Sequence, residues 1–169
     1  MYSYRFLDGA DELGRLYDAL HADGVLGALY RDVAPLTREM FVRMLSAEGM
    51  GVIGGFADGA LAGVMTVQAF RGRLTRCAEI GVAARRAFFA CAEPLTRGAF
   101  LWAFATLDCD SMVGIIPAGN RHALRMAPRV GFHALCRAPG MCWYAEKQRF
   151  EDGVIVFATP QTVKQACEV

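Results

Sequence analysis

The hydrophobic periodicity of this 169-residue chain predicts one mixed α/β (α+β) domain, in which an antiparallel meander is followed by a helix that crosses to a parallel strand. Two apolar runs, Met50 to Phe56 and Leu61 to Phe70, flank Ala57-Asp58-Gly59, a hairpin turn with glycine where a positive φ is needed. A dense helical run, Ala99 to Leu107, leads into the wholly apolar Met112 to Ile116, as expected of a strand buried on both faces. With 54% hydrophobic and 21% charged residues, the chain can bury a real core and is not a disordered composition.

The elements follow in order. Tyr2, Tyr4 and Phe6 alternate with Ser3 and Arg5, the period of a half-buried strand. Leu13, Leu16, Tyr17 and Leu20 recur at helical spacing, and Gly24 is the stop. A second helix starts at Thr37, whose hydroxyl caps the first turn while Leu36 packs on Phe41, and Gly49 ends it. After the hairpin, Leu74 to Ala84 completes the meander. Pro94 suits the first turn of the next helix. A short helix follows from about Asn120, Gly131-Phe132 leads into extended runs at Phe132 to Arg137 and Met141 to Phe150, and Val154 to Ala158 is the last strand. Thr159 caps a helical tail with Pro160 at its first position. No linker or internal repeat divides residues 1–169.

Mean hydropathy is +0.27, high enough to raise the membrane question. The longest apolar stretches hold twelve uncharged residues between Asp58 and Arg71 and ten from Gly98 to Leu107. A spanning helix needs about 20, so no membrane partner is expected. The start, MYSYRFLDGADE, lacks the pattern of a signal peptide, and the six cysteines show no C-x-x-C spacing. Both features point to reduced thiols in the cytoplasm. The three histidines share no ligand spacing with them, so no metal is expected. The apolar excess fits either a thick core or a self-association face, the latter implying a homodimer.

Net charge is +1, which argues against a nucleic-acid footprint. Yet Arg71, Arg73, Arg76, Arg85, Arg86 and Arg97 crowd the middle of the chain. They form either a solvated basic face or a site for a small polyanion.

The segment Asn120-x-x-Ala123, followed after seven intervening residues by Gly131-Phe132, succeeds a short apolar strand and opens a helix. It resembles the N-x-x-A-x-x-x-Y-x-x-x-G-F segment of the GNAT N-acetyltransferases, although a helix cap with a glycine stop would look the same. The resemblance covers roughly residues 50 to 137. It implies a mixed, mostly antiparallel sheet of about seven strands flanked by helices on both faces, acetyl-CoA as acyl donor, and an amine acceptor, small molecule or protein. In that family the asparagine lies near the pantetheine and phosphate arm, a role that falls here to Asn120. The strand end, here Gly81, Val82, Ala83 and Ala84, pairs with the pantetheine amides. Glu79 matches the family's general base. A carboxylate at that depth would have its pKa raised by desolvation, but Glu79 is equally readable as a strand glutamate paired with Arg73 or Arg76. Trp102-Ala103-Phe104 and Gly114-Ile115-Ile116-Pro117-x-x-Asn120 also look like divergent GNAT-like proteins of phages and prophages, some of them assembly proteins without turnover.

Two departures stand out. The family's glycine-rich [RQ]-x-x-G-x-[GA] turn offers backbone N–H groups to the pyrophosphate. Here residues 85–94, from Arg85 to Pro94, contain no glycine, so Arg85, Arg86, Arg97 and the nearby Gly98 are the candidate phosphate contacts. Ala127 stands where the family has the tyrosine that protonates the departing thiolate, and Pro128 should kink or shorten that helix.

Overall fold

The computed structural model describes residues 1–71 and 76–166. Arg73, the expected strand start at Leu74, and Cys167 fall outside the described residues. Seven strands form one sheet, β1 (Tyr2–Phe6), β2 (Met50–Ala57), β3 (Ala60–Arg71), β4 (Arg76–Ala84), β5 (Ser111–Pro117), β6 (His133–Tyr144) and β7 (Arg149–Ala158). Their spatial order is β1-β2-β3-β4-β5-β7-β6, antiparallel except for the β4–β5 pair.

Helices α1 (Ala10–Ala22) and α2 (Arg38–Leu45) cover one face. Leu13, Leu16, Leu20 and Phe41 pack there on Val52, Val64 and Ala83. Helices α3 (Ala92–Thr106), α4 (Arg121–Arg129) and α5 (Pro160–Gln165) cover the other. There Phe100, Ala103, Ala127 and Val163 meet Ile53, Met65, Val67 and Ala78. Neighbouring strand residues thus feed opposite cores, which explains the unbroken apolar runs. Each large side chain removed from water contributes about 1.5–3 kcal/mol.

Local signals are realised at the chain level. Asp58 and Gly59 have φ of 49° and 82°, the two positive values a two-residue hairpin turn requires. The Met40 N–H donates to Thr37 Oγ1 at 3.2 Å, and Thr159 and Thr162 form a reciprocal cap with Pro160 behind it. Gly24 takes φ 66° as α1 ends, while its N–H and that of Val25 close on the carbonyls of His21 and Leu20. Pro128 sits in the last turn of a nine-residue α4, the shortening its ring imposes.

Two expectations change. The residues from Phe132 to Phe150 are not two runs parted near Pro139. A single strand, β6, runs to Tyr144 with a register break between Ala138 and Cys142, and the reversal falls at residues 145–148. Asp152 holds this break in the sheet, accepting from Arg137 Nε at 2.8 Å and Gly140 N–H at 3.1 Å. These two donors keep its carboxyl below the usual range. The second change concerns β5. Met112 is buried, but on the opposite face Val113 is half-buried and Ile115 is 37% exposed. That face of β5 lacks a covering helix, and this opening matters for the site.

Candidate cleft at the parting of β4 and β5

Strands β4 and β5 pair only through Cys77–Ser111, Ala78–Met112 and Glu79–Val113. Beyond them, β4 continues against β3 and β5 against β7, so the two diverge. The β5-facing backbone groups of residues 80–84 are left without a strand partner. Unpaired backbone polar groups are costly away from water, so this edge calls for a ligand or solvent. The closed end is fastened by Arg76, which donates to both Asp108 and Asp110.

The parting opens onto a cleft of about 810 Å³. Val82, Ala83 and Ala84 of β4, Arg86 and Phe89 of the following 3₁₀ turn, Ala92 and Thr96 of α3, and Asn120, His122 and Ala123 at the start of α4 form one wall. The other wall is the α1–α2 connection, from Gly24 to Leu36, together with Tyr144 and Glu146. This connection is docked on the β6–β7 turn by an Ala145 N–H to Arg31 carbonyl bond of 3.0 Å.

The sequence-derived candidates are distributed unevenly around this cleft. Asn120 lies in its wall and caps α4, its Oδ1 accepting from the Ala123 N–H at 3.2 Å. That bond leaves the Nδ2 donors for a ligand. Glu79 is half-buried one residue before the strands part, and among the described residues it has no hydrogen-bond or ion-pair partner. It is not the partner of Arg76, which the two aspartates engage. Gly81 is required by close packing, since a Cβ there would lie 2.8 Å from Thr66 Oγ1 and 3.5 Å from Leu29 Cδ2. The tight contact is with Thr66 on the neighbouring β3, and Leu29 of the α1–α2 connection lies at ordinary contact distance.

The arginines divide. Arg86 lines the cleft. Arg85 is instead committed to Asp23 at the end of α1, with Nε–Oδ2 at 2.8 Å and Nη2–Oδ1 at 3.4 Å. Asp23 also accepts from the Arg86 N–H at 3.3 Å. The Arg85 guanidinium, with that N–H, holds the Asp23 carboxyl below the usual range. Arg97 lies elsewhere, donating to the Ala166 carbonyl at 3.0 Å beside Glu93. Gly98 serves the far end of the sheet, where a Cβ would meet Tyr4 Oη at 2.0 Å. That hydroxyl donates to the Leu95 carbonyl at 3.0 Å. Of the candidates, Val82, Ala83, Ala84, Arg86 and Asn120 line the cleft, whereas Glu79, Gly81, Arg85, Arg97 and Gly98 do not. Ala127 is buried in the core below α4.

Tyr30, Arg31, Tyr144 and Glu146 enter the wall without any sequence motif to announce them. Burial, with Asp32 nearby, pushes the Tyr30 phenol up to about 12, so it stays neutral. Arg31 Cζ stands 4.9 Å from the Tyr144 ring centre, and Lys147 Nζ stands 4.5 Å from it. Phe89 and His122 stack at 6.2 Å, joining the 3₁₀ turn to α4 at the edge of the cleft. Among the described residues no group of three His, Cys, Asp or Glu is placed to hold a metal ion, and no helix is long and apolar enough to cross a membrane.

No family model and no curated protein matches the sequence. Solved structures do resemble it. A spermidine N-acetyltransferase from Vibrio cholerae, in complex with CoA and spermine, superposes with TM-score 0.77 at 13% identity, covering 96% of this chain and 98% of that one. The acetyltransferase of GNAT family from Streptococcus pneumoniae gives 0.62 at 15% identity over 94% and 99%. The Salmonella typhimurium protein yncA, with its cofactor acetyl-CoA, gives 0.69 at 14% identity over 94% of each. Strand order, the single parallel pair and its parting, and helices on both faces agree with these likenesses: the chain has the fold of the GNAT acetyltransferases.

Proposed function

We propose that the protein is an N-acetyltransferase carrying an acetyl group from acetyl-CoA to a primary amine. The observation that supports this is the loss of pairing after Glu79 and Val113, which leaves one strand edge open onto a cleft of about 810 Å³. Acetyl-CoA supplies a thioester, whose carbonyl carbon an amine attacks. The backbone of residues 80–84 offers amide groups in strand geometry to the pantetheine arm, and Ala83 and Ala84 keep the approach unobstructed. Arg86 and the Asn120 Nδ2 donors meet the phosphate end. Arg85, tied to Asp23, holds the loop that carries Arg86.

Glu79 takes the proton of the incoming ammonium through water, since it stands at the parting with its carboxylate uncommitted. Positioning supplies most of the acceleration, and base assistance about 10²–10⁴-fold. Ala127 cannot protonate the leaving group. A thiol with pKa near 8.5 leaves as thiolate without that help, so the loss slows the reaction and does not forbid it.

The buried Ala127 also favours a second reading, a binder without turnover of the kind implied by the phage and prophage resemblance. Calorimetric titration separates the two. Binding of acetyl-CoA in the micromolar range with transfer or slow hydrolysis supports the enzyme, and binding with neither supports the binder. Absence of binding at millimolar ligand sinks the enzyme reading. Arg86→Ala should weaken binding about tenfold, as expected for one charge-assisted phosphate contact, while Arg97→Ala should leave it unchanged.

A reducing, cytoplasmic setting is supported by the five described cysteines, all free. Leu135, Met141 and Phe150 are 60%, 43% and 65% exposed along β6 and β7 and support a homodimer, which a mass measurement in solution tests.

A further inference from the structure

Arg31 has a setting that the acetyl-transfer reading leaves unused. Its guanidinium lies in the cleft wall, 29% exposed, seated over the Tyr144 ring. Its one ion pair is long, 3.8 Å from Nη1 to Glu151 Oε2. Among the described residues none of its five N–H donors makes a hydrogen bond. Glu151 has its own close partner, Arg149 Nη2 at 2.9 Å, which holds its carboxyl below the usual range. A charged carboxylate therefore stands near the guanidinium without a hydrogen bond to it, and among the described residues the donor fork is left available.

The backbone fixes this placement too, because the Arg31 carbonyl accepts from the Ala145 N–H. The residue is a pre-positioned fork of the sort that grips planar oxyanions with two parallel bonds. Charge in the wall points the same way. Arg31, Arg86 and one carboxylate, Glu146, line the cleft, while Glu151, outside that lining, stands 3.8 Å from Arg31 and is shared with Arg149, and Lys147 stands beside Tyr144. A polycation entering here would meet repulsion, whereas a zwitterion would have its anionic end matched.

We infer that Arg31 anchors an oxyanion on the acceptor, so that the amine is that of a small amino-acid-like molecule carrying a carboxylate or related group. This rests on the acetyl-transfer reading, and it adds the chemical class of the acceptor. The bound oxyanion holds the molecule in the cleft and leaves its amine free for the thioester.

The test is calorimetric titration of the CoA-loaded protein with free α-amino acids, their carboxamides and spermidine. It needs no turnover. At least one free amino acid should bind about tenfold or more tightly than its carboxamide, the discrimination expected of a charge-assisted bidentate contact. Arg31→Gln should abolish that preference and Arg31→Lys should retain part of it. The inference is overturned if a carboxamide or spermidine binds as tightly as the acid, or if no amino acid binds at roughly 10 mM. It is overturned equally if Arg31→Gln keeps the preference, or if that variant loses acetyl-CoA affinity by the same factor. Failure of the wild-type protein to take up CoA at all is read in the preceding titration, and it removes the acetyl-transfer reading together with this one.

Discussion

Glu79 stands opposite Val113 at the last register position that β4 and β5 share. A carboxylate is thus placed where the ladder of the only parallel pair in the described sheet ends, with β4 going on against β3 and β5 against β7. Glu79→Gln keeps the shape and removes the basicity. It should lower kcat about 10²-fold or more with acetyl-CoA affinity unchanged. A turnover assay beside a binding titration reads both, and an unchanged kcat removes Glu79 from the mechanism.

Asp23 joins the end of α1 to the loop after β4 through Arg85, and this pair is pH-sensitive in a defined direction. The native carboxyl is held below its ordinary value, so its contribution is present above the unfolded value near 3.9 and fades as pH falls through the lower native one. Asp23→Asn should lower the melting temperature at pH 7. The gap between the two proteins should narrow in acid, and thermal melts from pH 7 to pH 3 follow it. A gap that widens in acid contradicts the assignment.

Gly98→Ala tests whether that glycine packs or binds. Alanine is the better helix former by about 1 kcal/mol. Its methyl would nevertheless overlap Tyr4 Oη and drive the ring from the Leu95 carbonyl. Overpacking of this sort costs about 1–3 kcal/mol, so denaturant melts should show net destabilisation. Acetyl-CoA affinity should not move.

Ala127→Tyr places at this position the tyrosine that the resemblance implies, without the function it would bring. The position is 8% exposed and faces Phe100, Val130 and Phe132 in the core, not the cleft. A phenol forced there should destabilise the fold by more than about 1 kcal/mol and give no gain in kcat. A rise in turnover would mean that α4 can rotate.

What the sequence disclosed was whatever short-range chemistry decides. Asp58-Gly59, Thr37 and Thr159-Pro160 each act within four residues of themselves and are found in their expected roles, and Asn120 is found as a helix cap. The meander and the crossing helix follow from periodicity alone. The wall of the cleft was far less legible. Arg85, Arg86 and Arg97 look alike in sequence, and only Asp23 and Ala166, 62 and 69 residues away, distinguish them. Gly98 carries no local sign that Tyr4 needs its missing side chain. Arg31 and Tyr144 meet because two loops dock through one backbone hydrogen bond, a long-range event without a motif. Ile115 was expected to be buried, since an apolar run does not reveal that a covering layer stops short of it.

The break in β6 has a consequence for how copies of this chain meet. β6 is the outermost strand, and Pro139, which has no N–H, lies inside the irregular stretch pinned by Asp152. A second molecule cannot extend the sheet along the full length of that border, because the ladder is interrupted midway. Open-ended, fibre-like growth through this edge is blunted at the same point.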